Sequence, residues 1–234
     1  MSEWKQKRFW KEAKPVEVEG GFSVHLDGRG LKTPAKVALT LPSLEMAKAI
    51  AVEWDAQAEG INPETMPYTR SANAAIDKVA NQHAEVADML ADYGDSDLLC
   101  YRADSPQELV TRQAEQWDPA LSWAEEVFGV RLETRQGLLH SRQDPAALKV
   151  LRQAVHGLDN FRLAAFHDLV SMSGSLVLGF ATAQNWRTAD DIWQISRLDE
   201  TWQEEQWGVD EEAQETAGLK RTAFLHAKSF YDIC

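Results

Sequence analysis

The sequence predicts an α+β fold in which a small N-terminal domain containing a β-sheet precedes an all-helical C-terminal domain. Three observations lead to this prediction. The 234 residues are 44% hydrophobic and 26% charged, a globular composition that excludes wholesale disorder. Apolar residues alternate with period two up to about residue 42, and they follow a helical period from residue 44 onward. We therefore expect an N-terminal α/β domain over residues 1–70 and a helical domain over residues 71–234.

The N-terminal segment has the pattern of a small antiparallel sheet. Apolar and polar residues alternate over 16–19 and again over 22–26, with a Gly20-Gly21 break between the two runs. The sequence Asp-Gly-Arg-Gly at 27–30 tolerates the positive φ angles of a hairpin turn. Two further short strands are expected at 31–33 and 37–41.

Helical periodicity and glycines that end helices divide the rest of the chain into short helices. Ser105-Pro106-Gln107-Glu108 has the pattern of a capping box, and Asp144-Pro145 has that of a later helix start. Helices of such unequal length predict an orthogonal bundle rather than a long parallel one. The expected elements are helices at 44–60, 76–94, 107–129 with a bend at Pro119, 144–157, a pair within 158–185 joined near Gly174, 188–207 and 210–231, with one strand at 130–133.

Charge and apolar patterning exclude several classes of protein. There are 37 acidic and 24 basic residues, a net charge of −13 that disfavours nucleic-acid binding. The longest uncharged stretch, Leu169 to Trp186, contains six Ser, Thr, Asn and Gln residues and is too polar to cross a bilayer. The first residues, Met1 to Lys5, have no apolar signal core. Cys100 and Cys234 are the only cysteines, which favours a reducing compartment.

Motifs of catalysis and cofactor binding are absent from the sequence. It contains no phosphate-binding loop and no Gly-x-Ser-x-Gly turn. None of the six histidines has another histidine three to five residues away, and none follows an acidic residue by three positions. This spacing excludes the usual zinc and di-iron helix motifs. We therefore expect no cofactor and no bound metal.

An acidic cluster between Asp199 and Glu215 is the most unusual feature of the composition. It holds eight acidic residues and no basic one, and Trp202 and Trp207 lie inside it. Three interpretations are open: a solvated helix face, a surface that captures a basic partner, or a carboxylate-based metal-dependent enzyme. Tryptophan is common at binding hot spots, and neighbouring acids set orientation and partner choice. The enzyme is the weaker functional alternative because no nucleophile or metal-ligand motif accompanies the acids.

A set of segments in a fixed order resembles the ATP synthase assembly chaperones that serve the α subunit of the catalytic sector. The resemblance extends over essentially the whole chain. No single segment is diagnostic, but their order is specific. The segments are Arg8-Phe9-Trp10-Lys11, Leu26 to Ala35, Ala51 to Gln57, Met66 to Arg70, Asp97 to Arg102, Trp117-Asp118-Pro119 and Asp199 to Gly208.

The resemblance implies a role that is not enzymatic. Members of this family bind the unassembled α subunit, shield the surface that later meets the β subunit, and release it during hexamer assembly. They occur in mitochondria and in α-proteobacteria, so we expect a bacterial cytoplasmic protein or a processed protein of the mitochondrial matrix. We also expect a monomer without membrane insertion. The residues expected to face the partner are Asp199, Glu200, Trp202, Glu204, Glu205 and Trp207.

Overall fold

The structure, a computed structural model, describes residues 7–137 and 139–234. The expectation about Met1 to Lys5 therefore lies outside the described residues. Among the described helices, none combines the length and apolar character needed to span a bilayer. The chain divides into two compact units. The first contains the chain up to His83 with Asp159–Ala164 and Ser229–Cys234, and the second contains Ala84–Leu158 and Ala165–Lys228. The domain boundary at residues 70 and 71 remains a prediction.

An antiparallel sheet of three strands lies in the first compact unit, as the sequence predicts. Strand β1 (Ala13–Val18) pairs with β2 (Gly21–Leu26), which pairs with β3 (Arg29–Gly30). Gly21 has φ +151°, and a Cβ atom there would lie 2.3 Å from the carbonyl oxygen of Leu41. Only glycine fits this position. The expected strands at 31–33 and 37–41 are wrong, since the structure forms isolated bridges there.

Two helices lie entirely within the first compact unit. Helix α1 (Leu44–Asp55) packs its buried face on β1 and β2, and α2 (Pro67–Asp77) follows it. The carboxylate of Glu53 is buried in α1 and caps the start of α2, because it accepts hydrogen bonds from the backbone of Tyr68 at 2.6 Å and of Thr69 at 2.8 Å. Burial raises the pKa of Glu53, while these donors oppose the shift. The helix expected to reach Gly60 ends at Asp55.

The second compact unit is mostly helical. Together with the sheet of the first unit, these helices confirm the predicted α+β class. Helix α7 is the centre of the second unit, because all eight of its residues are buried. The unit also contains a short parallel pair, β4 (Tyr101–Arg102) and β5 (Arg135–Gln136), so it is not entirely helical. The helices that form all or part of this unit are α3 (His83–Ala91), α4 (Gln107–Phe128), α5 (Pro145–His156), α6 (Asn160–Ser173), α7 (Leu176–Ala183), α8 (Ala189–Ser196), α9 (Leu198–Trp207) and α10 (Glu211–Asp232).

Several local predictions in the helical region are confirmed. The side chain of Asp144 caps α5, and Pro145 occupies its first turn. Gly129 ends α4 with φ +70°, a left-handed conformation that favours glycine. A short connection at Gly174 joins α6 to α7. These features were predictable because each depends on residues that are neighbours in the sequence.

Other local predictions are wrong. The expected helix at 188–207 is broken at Arg197 into α8 and α9, and the helix expected at 76–94 is divided between α2 and α3. Residues 130–133 form no strand, since the pairing strand is β5. The expected capping box is absent, because Pro106 occupies the cap position and no side chain caps α4.

A fully buried carboxylate, Asp97, connects the short 3₁₀ turn at Leu98–Cys100 to the start of α7. Its two oxygens accept hydrogen bonds from the backbone of Leu99 at 3.0 Å and of Val177 at 3.1 Å. Burial raises the pKa of Asp97 to about 6, although these donors favour the charged form. The carboxylate therefore satisfies backbone groups that would otherwise be buried without partners.

We predict that Asp97→Ala lowers the free energy of unfolding by about 2–4 kcal/mol, because it leaves buried N–H groups unpaired. Asp97→Asn provides the matched control without a titrating group. The pKa in the folded state, about 6, lies above the unfolded value near 3.8. Stability from the protonated acid is therefore complete below about pH 4 and is lost as the pH rises through 6.

Urea unfolding at several pH values measures both effects. The stability of the wild-type protein minus that of Asp97→Asn should decrease by up to about 3 kcal/mol between pH 4 and pH 7. A difference that stays constant over this range would contradict the assigned shift.

Candidate functional site

In the second compact unit, α9 forms one side of a groove that is lined by two of its tryptophans and one of its acids. Its cavity volume is about 530 Å³, and we call it the aromatic groove. One wall is a single face of α9, formed by residues spaced three or four apart as a helical face requires. The other wall is residues 101–106 with two side chains of α4. The lining of the α9 wall is Asp199, Trp202, Gln203, Gln206 and Trp207, and that of α4 is Leu109 and Gln113.

Gln113 joins the two walls of the aromatic groove. Its side chain is only 2% exposed. The amide oxygen accepts a hydrogen bond from the backbone N–H of Ala103 at 2.8 Å, and the amide nitrogen donates to Asp199 Oδ1 at 2.7 Å. One buried amide thus fixes both the 101–106 segment and the first acidic residue of α9.

Trp117 forms a hydrogen bond to the chain just before α9. Its ring is fully buried, and its indole N–H donates to the carbonyl of Ile195 at 3.0 Å, close to the break between α8 and α9. The guanidinium of Arg102 lies 5.4 Å from the ring centroid of Trp117 and pairs with Asp118 at 2.8 Å. Arginine, tryptophan and carboxylate therefore form one packed group at the base of the site.

Glu205 is already paired within the chain. Its two oxygens accept hydrogen bonds from the two terminal nitrogens of Arg112, one of them at 3.0 Å. The pairing lowers the pKa of Glu205 and raises that of Arg112. The same guanidinium lies 6.0 Å from the ring centroid of Trp202. Glu205 thus holds an arginine against one tryptophan of the groove.

Three of the six residues predicted to face a partner line the aromatic groove: Asp199, Trp202 and Trp207. Among the tryptophans that the structure describes, Trp207 is the most exposed, at 80%. A large aromatic ring exposed to this extent is unusual for a residue that contributes only to packing.

The other three predicted residues lie outside the groove lining. Glu200 pairs with Arg197 at 2.7 Å, and Glu205 pairs with Arg112 as described above. Glu204 is half-buried and has no basic partner among the residues that the structure describes. The structure thus places Asp199, Trp202 and Trp207 in the groove and leaves Glu200, Glu204 and Glu205 outside its lining.

Sequence analysis did not find the second wall of the groove. Residues 101–106, Leu109 and Gln113 precede α9 by about ninety positions, so no local periodicity joins them to it. Two sequence features did fall on this wall: the family-like segment Asp97 to Arg102 and the expected capping box at Ser105-Pro106. Neither feature indicated that the wall lies opposite α9. Gln203 and Gln206 were also missed, although they lie on the same helical face as Asp199.

The metal-dependent alternative requires several ligands that converge on one point. Within residues 7–137 and 139–234, no group of three or more His, Cys, Asp or Glu side chains could hold a metal ion. Asp210 instead caps α10 through the backbone N–H of Glu212 at 3.0 Å. The acidic cluster is therefore spread over several faces, and the geometry of the described residues gives the enzyme interpretation no support.

We predict that Gln113→Leu lowers the free energy of unfolding by about 1–3 kcal/mol, because it leaves the half-buried N–H of Ala103 without its acceptor and Asp199 without its donor. Gln107→Leu is the matched control, since Gln107 lies on the exposed start of the same helix. Its effect should stay within about 0.5 kcal/mol. Urea unfolding measures both variants. Equal effects would show that the bridge contributes no more than an exposed glutamine.

Comparison with known proteins gives a consistent result. The sequence model of a family described as "ATP12 chaperone protein" matches residues 7–125, about half of the chain. The curated protein "Protein atp12, mitochondrial" of Schizosaccharomyces pombe is 27% identical over 221 residues, which cover 89% of this chain and 76% of that protein.

Solved structures agree with these matches. The crystal structure of Atp12 from Paracoccus denitrificans is 47% identical, covers 99% of both chains, and superposes with a TM-score of 0.96. A point mutant of Atp12p from the same organism is 46% identical with the same coverage and TM-score. At these values the similarity extends to the whole fold, including the region of the aromatic groove.

Proposed function

Because the chain belongs to the ATP12 chaperone family, a family of ATP synthase assembly chaperones, we propose that its client is the unassembled α subunit of the catalytic sector. In this proposal the protein shields the surface of the α subunit that later meets the β subunit. It releases the α subunit during hexamer assembly. We further propose that it acts as a monomer in a bacterial cytoplasm or the mitochondrial matrix.

The aromatic groove is the observation that carries this proposal. An unassembled subunit exposes apolar surface that would be covered in the final complex, and such surfaces aggregate when free. Trp202 and Trp207 offer apolar contact area to that surface, while Asp199 lines the same groove. Glu204, which has no basic partner among the described residues, adds negative potential to the same helix, and such potential speeds capture of a basic surface. Glu200 and Glu205 add less, because arginines of the same chain pair with them.

The modest size of the site suits reversible binding. A groove of about 530 Å³ buries a few side chains and not a whole interface. Only a small number of buried aromatic anchors then contribute most of the affinity. A partner that covers more apolar area can therefore displace the chaperone during assembly.

Co-expression with the ATP synthase α and β subunits, followed by size-exclusion chromatography, tests the proposal. We expect a soluble complex with the α subunit alone and its loss when the β subunit is added. Absence of a complex with the α subunit, or an equally stable complex with the β subunit alone, would contradict the assigned client.

We predict that Trp207→Ala weakens binding of the α subunit by about tenfold or more, which is the effect expected of an aromatic hot spot. The free energy of unfolding should hardly change, because the side chain is 80% exposed. Met89→Ala is a suitable control, since Met89 is 47% exposed on α3 and lies outside the groove lining. Titration calorimetry with the purified α subunit measures the loss. Equal affinities of the two variants would remove Trp207 from the site.

A further inference from the structure

The short parallel pair of β4 and β5 has one open edge. Gly137 of the β5 side donates to the carbonyl of Arg102 at 3.0 Å, so the backbone groups of Arg102 face β5. Backbone groups of successive residues alternate between the two edges of a strand, and those of Ala103 therefore face away from β5. There the N–H of Ala103 bonds to the side chain of Gln113 at 2.8 Å. Among the described residues no strand pairs with this edge.

Residues 103–105, which line the aromatic groove, have backbone groups without hydrogen bonds. In the described part of the chain, no donor pairs with the carbonyl of Ala103, and no acceptor pairs with the N–H of Ser105. By alternation both groups belong to the edge that faces away from β5. One residue of a parallel neighbouring strand could donate to the first group and accept from the second. The open edge thus has the hydrogen-bonding pattern that a parallel strand requires.

The opposite wall of the groove has the length of a short extended segment. Its lining runs along α9 from Asp199 to Trp207, eight positions or about 12 Å at the helical rise. An extended chain covers that distance in about four residues. A helical occupant suits the site less well, because its backbone groups already bond to one another and leave those of Ala103 and Ser105 unpaired.

The lining also indicates which side chains such a segment carries. Asp104 and Asp199 line the groove without a basic partner among the described residues, whereas the lining residue Arg102 is paired with Asp118 at 2.8 Å. The groove is therefore negative and favours a segment with basic residues. Side chains of an extended segment alternate in direction, so others can contact apolar lining such as Trp202.

We propose that the aromatic groove binds an extended, basic segment of the client, which pairs with residues 103–105 as a third, parallel strand of the β4–β5 sheet. This proposal rests on the proposed function, because the α subunit supplies the segment. One residue of the segment donates to the carbonyl of Ala103 and accepts from the N–H of Ser105. Strand addition supplies affinity through main-chain bonds, and it covers an extended segment that would aggregate when free.

The first test identifies the segment. A photo-crosslinking benzoylphenylalanine at Gln206, an exposed residue of the groove lining, labels the nearby part of the bound α subunit. The matched control carries the same group at Glu85, an exposed residue of the same compact unit outside the lining. We expect only the first to label one short segment with at least one lysine or arginine. A label on a second copy of this chain, or on a segment without a basic residue, would overturn the proposal.

The second test measures the backbone bond. An eight-residue synthetic peptide of the labelled segment is added to the protein, and amide hydrogen exchange is followed by NMR. The N–H of Ser105 should exchange at least tenfold more slowly in the complex, because it gains an acceptor. The control is the N–H of exposed Ala58, which also lacks an acceptor among the described residues and should change less than twofold. Unchanged exchange at Ser105 in the saturated complex would overturn the added strand.

The third test searches the same peptide for the alternation of a strand. N-methylation removes one backbone donor of the peptide at a time. We expect at least a tenfold loss of affinity at the position that bonds Ala103 and less than a threefold loss at both of its neighbours, whose N–H groups face away. Losses at several consecutive positions, or at none, would contradict pairing along the open edge.

Proline variants of the protein test the bond from its other side. Ser105→Pro removes the N–H that the segment accepts from. Gln107→Pro is the matched control, since Gln107 is the first residue of α4, where proline is favoured, and it does not line the groove. We expect at least a tenfold loss of α-subunit affinity for Ser105→Pro and less than a twofold change for Gln107→Pro. Equal affinities of two variants that keep the wild-type thermal midpoint would overturn the proposal.

The outcomes distinguish this proposal from the proposed function. A complex with the α subunit in which Ser105 gains no protection leaves the client in place and removes the added strand. A wild-type protein that forms no complex with the α subunit removes the proposed function and this site together.

Discussion

The buried amide of Gln113 is the contact on which the geometry of the aromatic groove depends. It joins Ala103 to Asp199 across a sequence separation of almost a hundred residues, with hydrogen bonds of 2.8 and 2.7 Å. A buried amide must satisfy its oxygen and its nitrogen, so the position of one wall determines that of the other. Trp117 supports the same region through its bond to Ile195. The exposed face of α9 is thus oriented by buried polar contacts and not by its own helical propensity.

Local sequence signals predicted the elements better than they predicted the site. The β-hairpin and the starts of α5 and α10 follow from period, proline and capping residues, because these interactions join near neighbours. The break at Arg197 was missed since the apolar period continues across it and only the contacts of α8 and α9 divide them. The α9 wall was partly predictable because one stretch of the sequence combines two tryptophans with several acids. Its partner wall was not, because Gln113 and Asp199, which join the two walls, lie 86 positions apart.

The distribution of charge pairs on α9 has a physical consequence for binding. Glu200 and Glu205 are paired with arginines of the same chain, so their contribution to a new contact is reduced. Asp199 faces the groove with no basic partner among the described residues, and binding there replaces water by a donor. An unpaired carboxylate gains more from a cation than a carboxylate that must first break an ion pair. The six predicted residues are therefore unequal, and we propose the groove face as the one that contacts the client.

A chaperone that must release its client gains from this combination of contacts. Charged contacts made in an exposed groove remain accessible to water and salt, so they lose strength as ionic strength rises. In the proposed function, the negative potential around α9 speeds association with a basic segment of the client. A contact that buries little apolar area also dissociates quickly. A larger apolar interface, such as one between subunits of an assembled ring, can then compete for the same client surface without any energy source acting on the chaperone itself.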